Sequence, residues 1–179
     1  AMVEVVVHYL LNTSGTYTNI ARLLHVKITE TSVDLFYTFV PTPLSVLFGH
    51  TDAELRLNII LGLLRGVHCL HRRGIGHRDL KGLNIHVTSK GECMLLDLGS
   101  AGYGLHRMTI PICTITHRSP DILQAEVDDS SYIYDGHTLD MWSIGVLLAE
   151  IFLGAEPFGH VRYNITALGM LKTIRREKP

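Results

Sequence analysis

The sequence predicts an α+β domain, and three observations carry that expectation. Leu55, Ile59, Ile60, Leu63, Leu64, Val67 and Leu70 recur at helical spacing behind Thr51-Asp52-Ala53-Glu54, a start with acidic residues in its first turn. Residues 22–30 and 33–40 alternate or run apolar like two strands, broken at Glu30-Thr31-Ser32. The stretch from Asp140 to Glu150 is dense enough in apolar residues for a helix buried on nearly all sides.

Composition narrows the class. At 179 residues the chain is large enough for one core and small for two domains, and 46% apolar with 18% charged residues is an ordinary globular balance. A net charge of −1 gives no electrostatic footprint for nucleic acid or an anionic membrane. Cys69, Cys93 and Cys113 share no close spacing and read as reduced intracellular thiols, not as a disulfide frame or zinc site. No signal peptide is visible, and the apolar run Ile144 to Leu153 is too short to span a bilayer and contains Glu150. His68 and His71 fall on a helix without cysteine or carboxylate partners nearby in sequence and read as helix surface.

The remaining elements follow in chain order. Residues 1–11 place Val3, Val7, Leu10 and Leu11 at helical spacing, although the valine run also suits a strand, and Asn12-Thr13-Ser14-Gly15 stops the pattern. Pro41-Thr42-Pro43 ends the second strand, because proline cannot donate to a sheet ladder. The helix from Thr51 ends at Gly74 and delivers the chain to a polar loop. Val87 to Leu96 reads as strand, Ser-Lys-Gly turn, strand. Pro157-Phe158 closes the apolar helix, and Val161 to Pro179 carries apolar residues at helical spacing with a terminal Lys/Arg cluster, a solvated helix end.

The chemistry lies on either side of the hairpin. His77-Arg78-Asp79-Leu80-Lys81-Gly82-Leu83-Asn84 precedes it and Asp97-Leu98-Gly99 follows it. Each motif alone is an ordinary loop or turn; the hairpin between them is what makes the pair specific. Together they resemble the catalytic loop and metal-binding motif of eukaryotic protein kinases, H-R-D-L-x-x-x-N and D-F-G, with Leu98 in place of Phe. Thr114-Ile115-Thr116-His117-Arg118-Ser119-Pro120-Asp121 resembles the end of an activation segment, T-x-x-x-R-A-P-E in cyclin-dependent kinases and their relatives. Asp140-Met141-Trp142-Ser143-Ile144-Gly145 resembles the D-x-W-S-x-G helix of the large lobe.

The resemblance implies a role for each matching residue. Asp79 would orient the attacking hydroxyl and accept its proton, and Lys81 would face the transferring phosphate as in serine/threonine kinases. Asn84 and Asp97 would hold Mg²⁺ against ATP, hard oxygen ligands for a hard cation. Arg78 would bind a phosphate on the activation segment. Thr109 is the candidate phosphosite, with a solvated loop threonine as the other reading, and Thr114 would bridge Asp79 and Lys81. Glu4 would match the C-helix glutamate that pairs with the ATP-binding lysine, though by itself it also reads as an exposed carboxylate near a helix start. Tyr37 would be the gatekeeper, and Thr38, Phe39 and Val40 would offer hinge backbone to adenine; as plain residues they are a buried strand end. His86 would lie beneath the adenine ring, and His8 in a stack usually filled by Leu or Met; burial at either place would favour the neutral imidazole. Asp140 would accept hydrogen bonds from the catalytic-loop backbone.

Only part of the kinase pattern is present. No G-x-G-x-x-G occurs and no V-A-I-K strand precedes Glu4. The expectation is therefore one partial protein-kinase-like domain over 1–179, mainly helical C-lobe with a partial N-lobe: 1–40 as C-helix, last small-lobe strands and hinge, 41–179 as large lobe. Its implied function is transfer of the ATP γ-phosphate to a serine or threonine hydroxyl of a protein, in the cytoplasm or nucleus. The implied partners are a protein substrate and a regulator at the C-helix, with no nucleic acid or membrane. The alternative is a catalytically inactive truncated kinase or pseudokinase that serves as a protein-interaction module.

Overall fold

Residues 2–13, 17–108, 112–158 and 165–176 are described by the structure, a computed structural model. Thr109 lies outside the described residues.

The valine-rich opening is a helix, α1 (Met2–Thr13), whose buried residues Glu4, Val7, His8 and Leu11 share one face at spacings of three and four. The apolar pattern of the sequence had put Val3 and Leu10 on that face; they are 47% and 41% exposed. The inward position belongs to Glu4, whose Oε1 accepts from the backbone N–H of Leu98 at 3.2 Å, a partner invisible to hydrophobic periodicity.

β1 (Leu23–Ile28) and β2 (Val33–Tyr37) form an antiparallel hairpin with Val26 opposite Leu35 and Ile28 opposite Val33. Thr29 stabilises the turn, its Oγ1 accepting from the Ser32 N–H at 2.9 Å. The second strand ends at Tyr37 rather than Val40; β3 (Thr42–Pro43) joins another sheet as an edge strand, where proline is tolerated.

α2 (Ala53–His71) begins where the sequence predicted, with Asp52 Oδ1 accepting from the Leu55 N–H at 2.8 Å. Ile59, Leu63, Val67 and Leu70 are buried along it. β4 (Ile75–Gly76) follows, then the catalytic-loop stretch, β5 (Ile85–Val87) and β6 (Cys93–Leu95). β5 lies between β3 and β6, and Thr88 Oγ1 accepts from the Lys90 and Glu92 N–H groups to close the predicted hairpin. β7 (Gly102–Tyr103) pairs with β4, and β8 (Leu105–Met108) pairs with a strand that comes later, β9 (Tyr132–Asp135), after α3 (Pro120–Val127).

α4 (Gly136–Leu153) is capped by Asp135, whose Oδ1 accepts from His137 N–H at 3.0 Å, and stops at Gly154 in the left-handed region (φ 71°). Its Leu139, Ile144, Leu147 and Ile151 are buried, but Met141, Phe152 and Leu153 are exposed, so the helix is embedded on one broad side rather than on nearly all. α5 (Ala167–Arg176) packs Met170, Leu171 and Ile174 against Leu123 of α3 in a small separate cluster.

The main core joins Leu63 and Leu70 of α2, Ile85 and Leu95 of the hairpin, Leu98, and Leu147 of α4. Close approach of β4 to the start of α4 sets the site: a Cβ at Gly76 would lie 2.9 Å from the Gly136 carbonyl carbon. That contact puts residues 77–79 against Asp140. Among the described residues no helix is long and apolar enough to cross a membrane.

Candidate active site

Asp140 is fully buried in α4 and organises the loop beside it. Its Oδ2 accepts from the His77 N–H at 2.8 Å and its Oδ1 from the Arg78 N–H at 2.7 Å. His71 Nε2 adds a third contact to Oδ2 at 2.8 Å. His71 is thus not plain helix surface: the last residue of α2 reaches 69 positions along the chain, a pairing that local sequence cannot signal. His77 Nε2 lies 3.0 Å from the Leu96 carbonyl, tying the loop to the strand that leads to Asp97. Arg78 is held in the left-handed region (φ 66°), a strained conformation that such surrounding contacts must sustain.

The strain aims Asp79. Its Oδ1 accepts from Thr114 Oγ1 at 2.7 Å and Thr114 N–H at 2.9 Å; its Oδ2 accepts from Lys81 Nζ at 2.9 Å and Asn84 Nδ2 at 3.1 Å. Lys81 Nζ also donates to Thr114 Oγ1 at 2.9 Å. Burial pulls the Asp79 carboxyl upward, but the hydrogen bonds from Lys81 and Thr114 and the lysine charge together outweigh it and hold the group below its ordinary value. The result is a carboxylate kept ionised in a largely desolvated place.

Asn84 donates from Nδ2 to both the carbonyl and the carboxylate of Asp79, so the acceptor end of its amide, Oδ1, is the end that can serve a cation. A cleft of about 600 Å³ brings Asn84 together with Asp97, Glu4 and Tyr37. Asp97 is exposed and, like Arg78, sits in the left-handed region (φ 57°, ψ 75°), its side chain accepting from the Gly99 N–H at 3.2 Å. Among the described residues no group of three or more His, Cys, Asp or Glu converges as a metal cage. The Asp97 carboxylate and the Asn84 amide oxygen in an open cleft would instead be a partial donor set of the kind that Mg²⁺ completes with water and phosphate oxygens.

Residues 3–178 match the model of the protein kinase domain. The chain belongs to the protein kinase family. It is 32% identical to "Cell division control protein 2 homolog 1" of Trypanosoma brucei brucei over 147 residues, 78% of this chain and 47% of that protein. It is 34% identical to "Probable serine/threonine-protein kinase KIN28 homolog" of Encephalitozoon cuniculi over 145 residues, 78% of this chain and 44% of that protein. With "Mitogen-activated protein kinase 13" of Homo sapiens the identity is 29% over 147 residues, 78% and 39% of the two chains. The chain thus spans about half or less of the length of these relatives. Kinases of this family generally use ATP with Mg²⁺.

The kinase residues expected at adenine are divided between two cavities. Tyr37 and Glu4 line the cleft with Asp97, whereas Thr38 and Val40 line a different cavity. The Thr38 N–H donates to the Arg22 carbonyl at 2.9 Å, and the Val40 carbonyl accepts from His86 Nδ1 at 2.8 Å. His86 therefore carries a proton on Nδ1 and binds the Val40 backbone directly, a contact between residues 46 apart. Phe39 is 85% exposed. Arg78 spends three guanidinium donors on the Ser100 and Ala101 carbonyls and the Tyr134 hydroxyl; none of these partners had a signal in the sequence. Asp121 accepts from the Tyr132 hydroxyl at 2.7 Å.

Burial, and then the adjacent Glu4 carboxylate, push the Tyr37 phenol up. The His8 ring lies 5.5 Å from the Tyr37 ring, its Nδ1 buried without a partner, and burial lowers its pKa from 6.5 to about 4. Because the folded-state value is depressed, the unfolded chain takes up a proton first on acidification. The neutral ring's contribution is present above pH 6.5 and is lost as the pH falls toward about 4. His8→Leu should therefore gain about 2 kcal/mol over the parent between neutral and acid pH, read as a shallower fall in melting temperature. Parallel pH profiles for the two chains would refute it.

Proposed function

We propose that this domain belongs to a serine/threonine protein kinase that transfers the γ-phosphoryl group of ATP to a protein hydroxyl. The observation that carries the reading is the Asp79 carboxylate, held ionised by Lys81, Asn84 and Thr114 beside a cleft that also presents Asp97. A substrate hydroxyl docked against Asp79 Oδ2 would be oriented for in-line attack and would pass its proton to that oxygen. Lys81 is a mobile point charge whose present bonds go to Asp79 and Thr114, so it can follow the phosphoryl group as charge develops. Its place two residues after Asp79 favours serine or threonine over tyrosine. Asn84 and Asp97 would hold Mg²⁺, which when bound neutralises charge on the phosphates.

The same reading divides the domain into residues 1–40, helix, hairpin and hinge, and residues 41–179, the large lobe. Met2, Val6 and Tyr9 form an exposed apolar face of α1, which supports a regulatory partner there. Three free cysteines, two of them buried, suit a reducing compartment, cytoplasm or nucleus.

The test is transfer of labelled phosphate from ATP to a protein substrate followed by phosphoamino-acid analysis. Label on serine or threonine that disappears when magnesium is chelated is the expected result. Label on tyrosine alone, or transfer that persists in excess chelator, would overturn the assignment.

A further inference from the structure

A second hollow, larger than the cleft beside Asp97, lies apart from it. A cavity of about 1130 Å³ opens where residues 17–22, α2 and the turn between β5 and β6 meet, and it shares no lining residue with that cleft. Its walls are firmly joined. Asn19 Nδ2 donates to the Cys93 carbonyl at 2.8 Å, the Asn19 carbonyl accepts from the Leu95 N–H at 2.9 Å, and a Cβ at Gly66 would lie 2.7 Å from that carbonyl oxygen.

The lining is basic at the rim and apolar below. Arg22, Arg65 and Lys90 come from three different segments, with Glu92 the single carboxylate among the lining residues, on a chain whose net charge is −1. Among the described residues no ion pair engages any of these three cations. Tyr17 lines the same cavity. Ile20, Ala21 and Cys93 give the cavity an apolar floor.

We propose that this cavity docks an acidic segment of a partner protein, in which carboxylates alternate with aliphatic side chains. Three cations carried on three elements suit carboxylates spaced along an extended chain, whereas a lone phosphate calls for donors that converge on one point. Aliphatic side chains between the carboxylates fill the floor.

The experiment is fluorescence anisotropy of a labelled peptide of interspersed Glu and Leu titrated with the 179-residue chain. Saturable binding is expected, weakened about tenfold or more by Arg65→Glu or Lys90→Glu and by raising salt from about 50 to about 300 mM. Lys172→Glu, on α5 in another part of the fold, should leave it unchanged. The rim cations are exposed, so an unchanged melting temperature in the variants separates lost binding from lost folding. No binding, affinity indifferent to Arg65→Glu and Lys90→Glu, or displacement by inorganic tripolyphosphate at lower concentration than by unlabelled peptide would each overturn the proposal. Phosphoryl transfer plays no part in this readout, so its outcome is independent of the kinase reading.

Discussion

Asp79→Ala lowers the rate of phosphoryl transfer by about a thousandfold or more, with the KM for ATP within a few-fold of the parent value. The split follows from position. In this reading Asp79 would face the reacting hydroxyl, while nucleotide affinity rests on Asp97, Asn84 and the surrounding cleft. Four donors converge on the carboxylate, two from Thr114 and one each from Lys81 and Asn84. Asp79→Asn is therefore no mild change: its amide keeps one acceptor and turns a donor toward other donors, so it should lose nearly as much activity as alanine. Thr114→Val, which removes one donor to Asp79 and the acceptor for Lys81, should fall between the variants and the parent. Steady-state kinetics on the purified protein measure all three; parent-like turnover in Asp79→Ala would remove the proton acceptor from the account.

Asp140→Ala is the largest expected loss of stability, about 3–5 kcal/mol. The carboxylate has no exposure, and its removal strands the backbone N–H groups of His77 and Arg78 together with His71. In a domain of this size that corresponds to a fall of about 10 °C or more in melting temperature. His71→Ala, which removes one partner at the more exposed end, should cost clearly less. Because the same bonds hold Arg78 in its left-handed conformation, any folded Asp140→Ala protein should also transfer phosphate more slowly than its remaining stability explains. Equal melting temperatures for parent and Asp140→Ala would show that the loop is anchored elsewhere.

Local chemistry explains which parts of this arrangement were legible. The start of α2 was written in Asp52, the β5–β6 hairpin in Thr88 to Glu92, and the paired loops in short motifs whose spacing is fixed by that hairpin. The inward face of α1 was misjudged because the residue that decides it, Glu4, is polar and answers to Leu98, 94 positions away. The bonds of His71 to Asp140, His86 to Val40 and Arg78 to Tyr134 are likewise long-range polar contacts, and neither hydropathy nor spacing encodes such partners. The separation of Thr38 and Val40 from Tyr37 was hidden for another reason. β2 ends at Tyr37, and the residues after it turn toward the cavity rimmed by Arg22, Arg65 and Lys90 rather than toward Asp97.

The central claim is that Asn84 and Asp97 form a magnesium–nucleotide site in this chain. Its most direct test is the melting temperature with and without millimolar ATP, with and without Mg²⁺, beside an Asp97→Asn control. A ligand that binds only the folded state raises stability by mass action, by about 2.7 kcal/mol at a hundredfold excess over Kd. The account predicts a rise of about 5 °C that requires Mg²⁺ and is lost in Asp97→Asn. A chain that melts cooperatively and shows no rise under any of these conditions would contradict it and leave the domain as a non-catalytic interaction module.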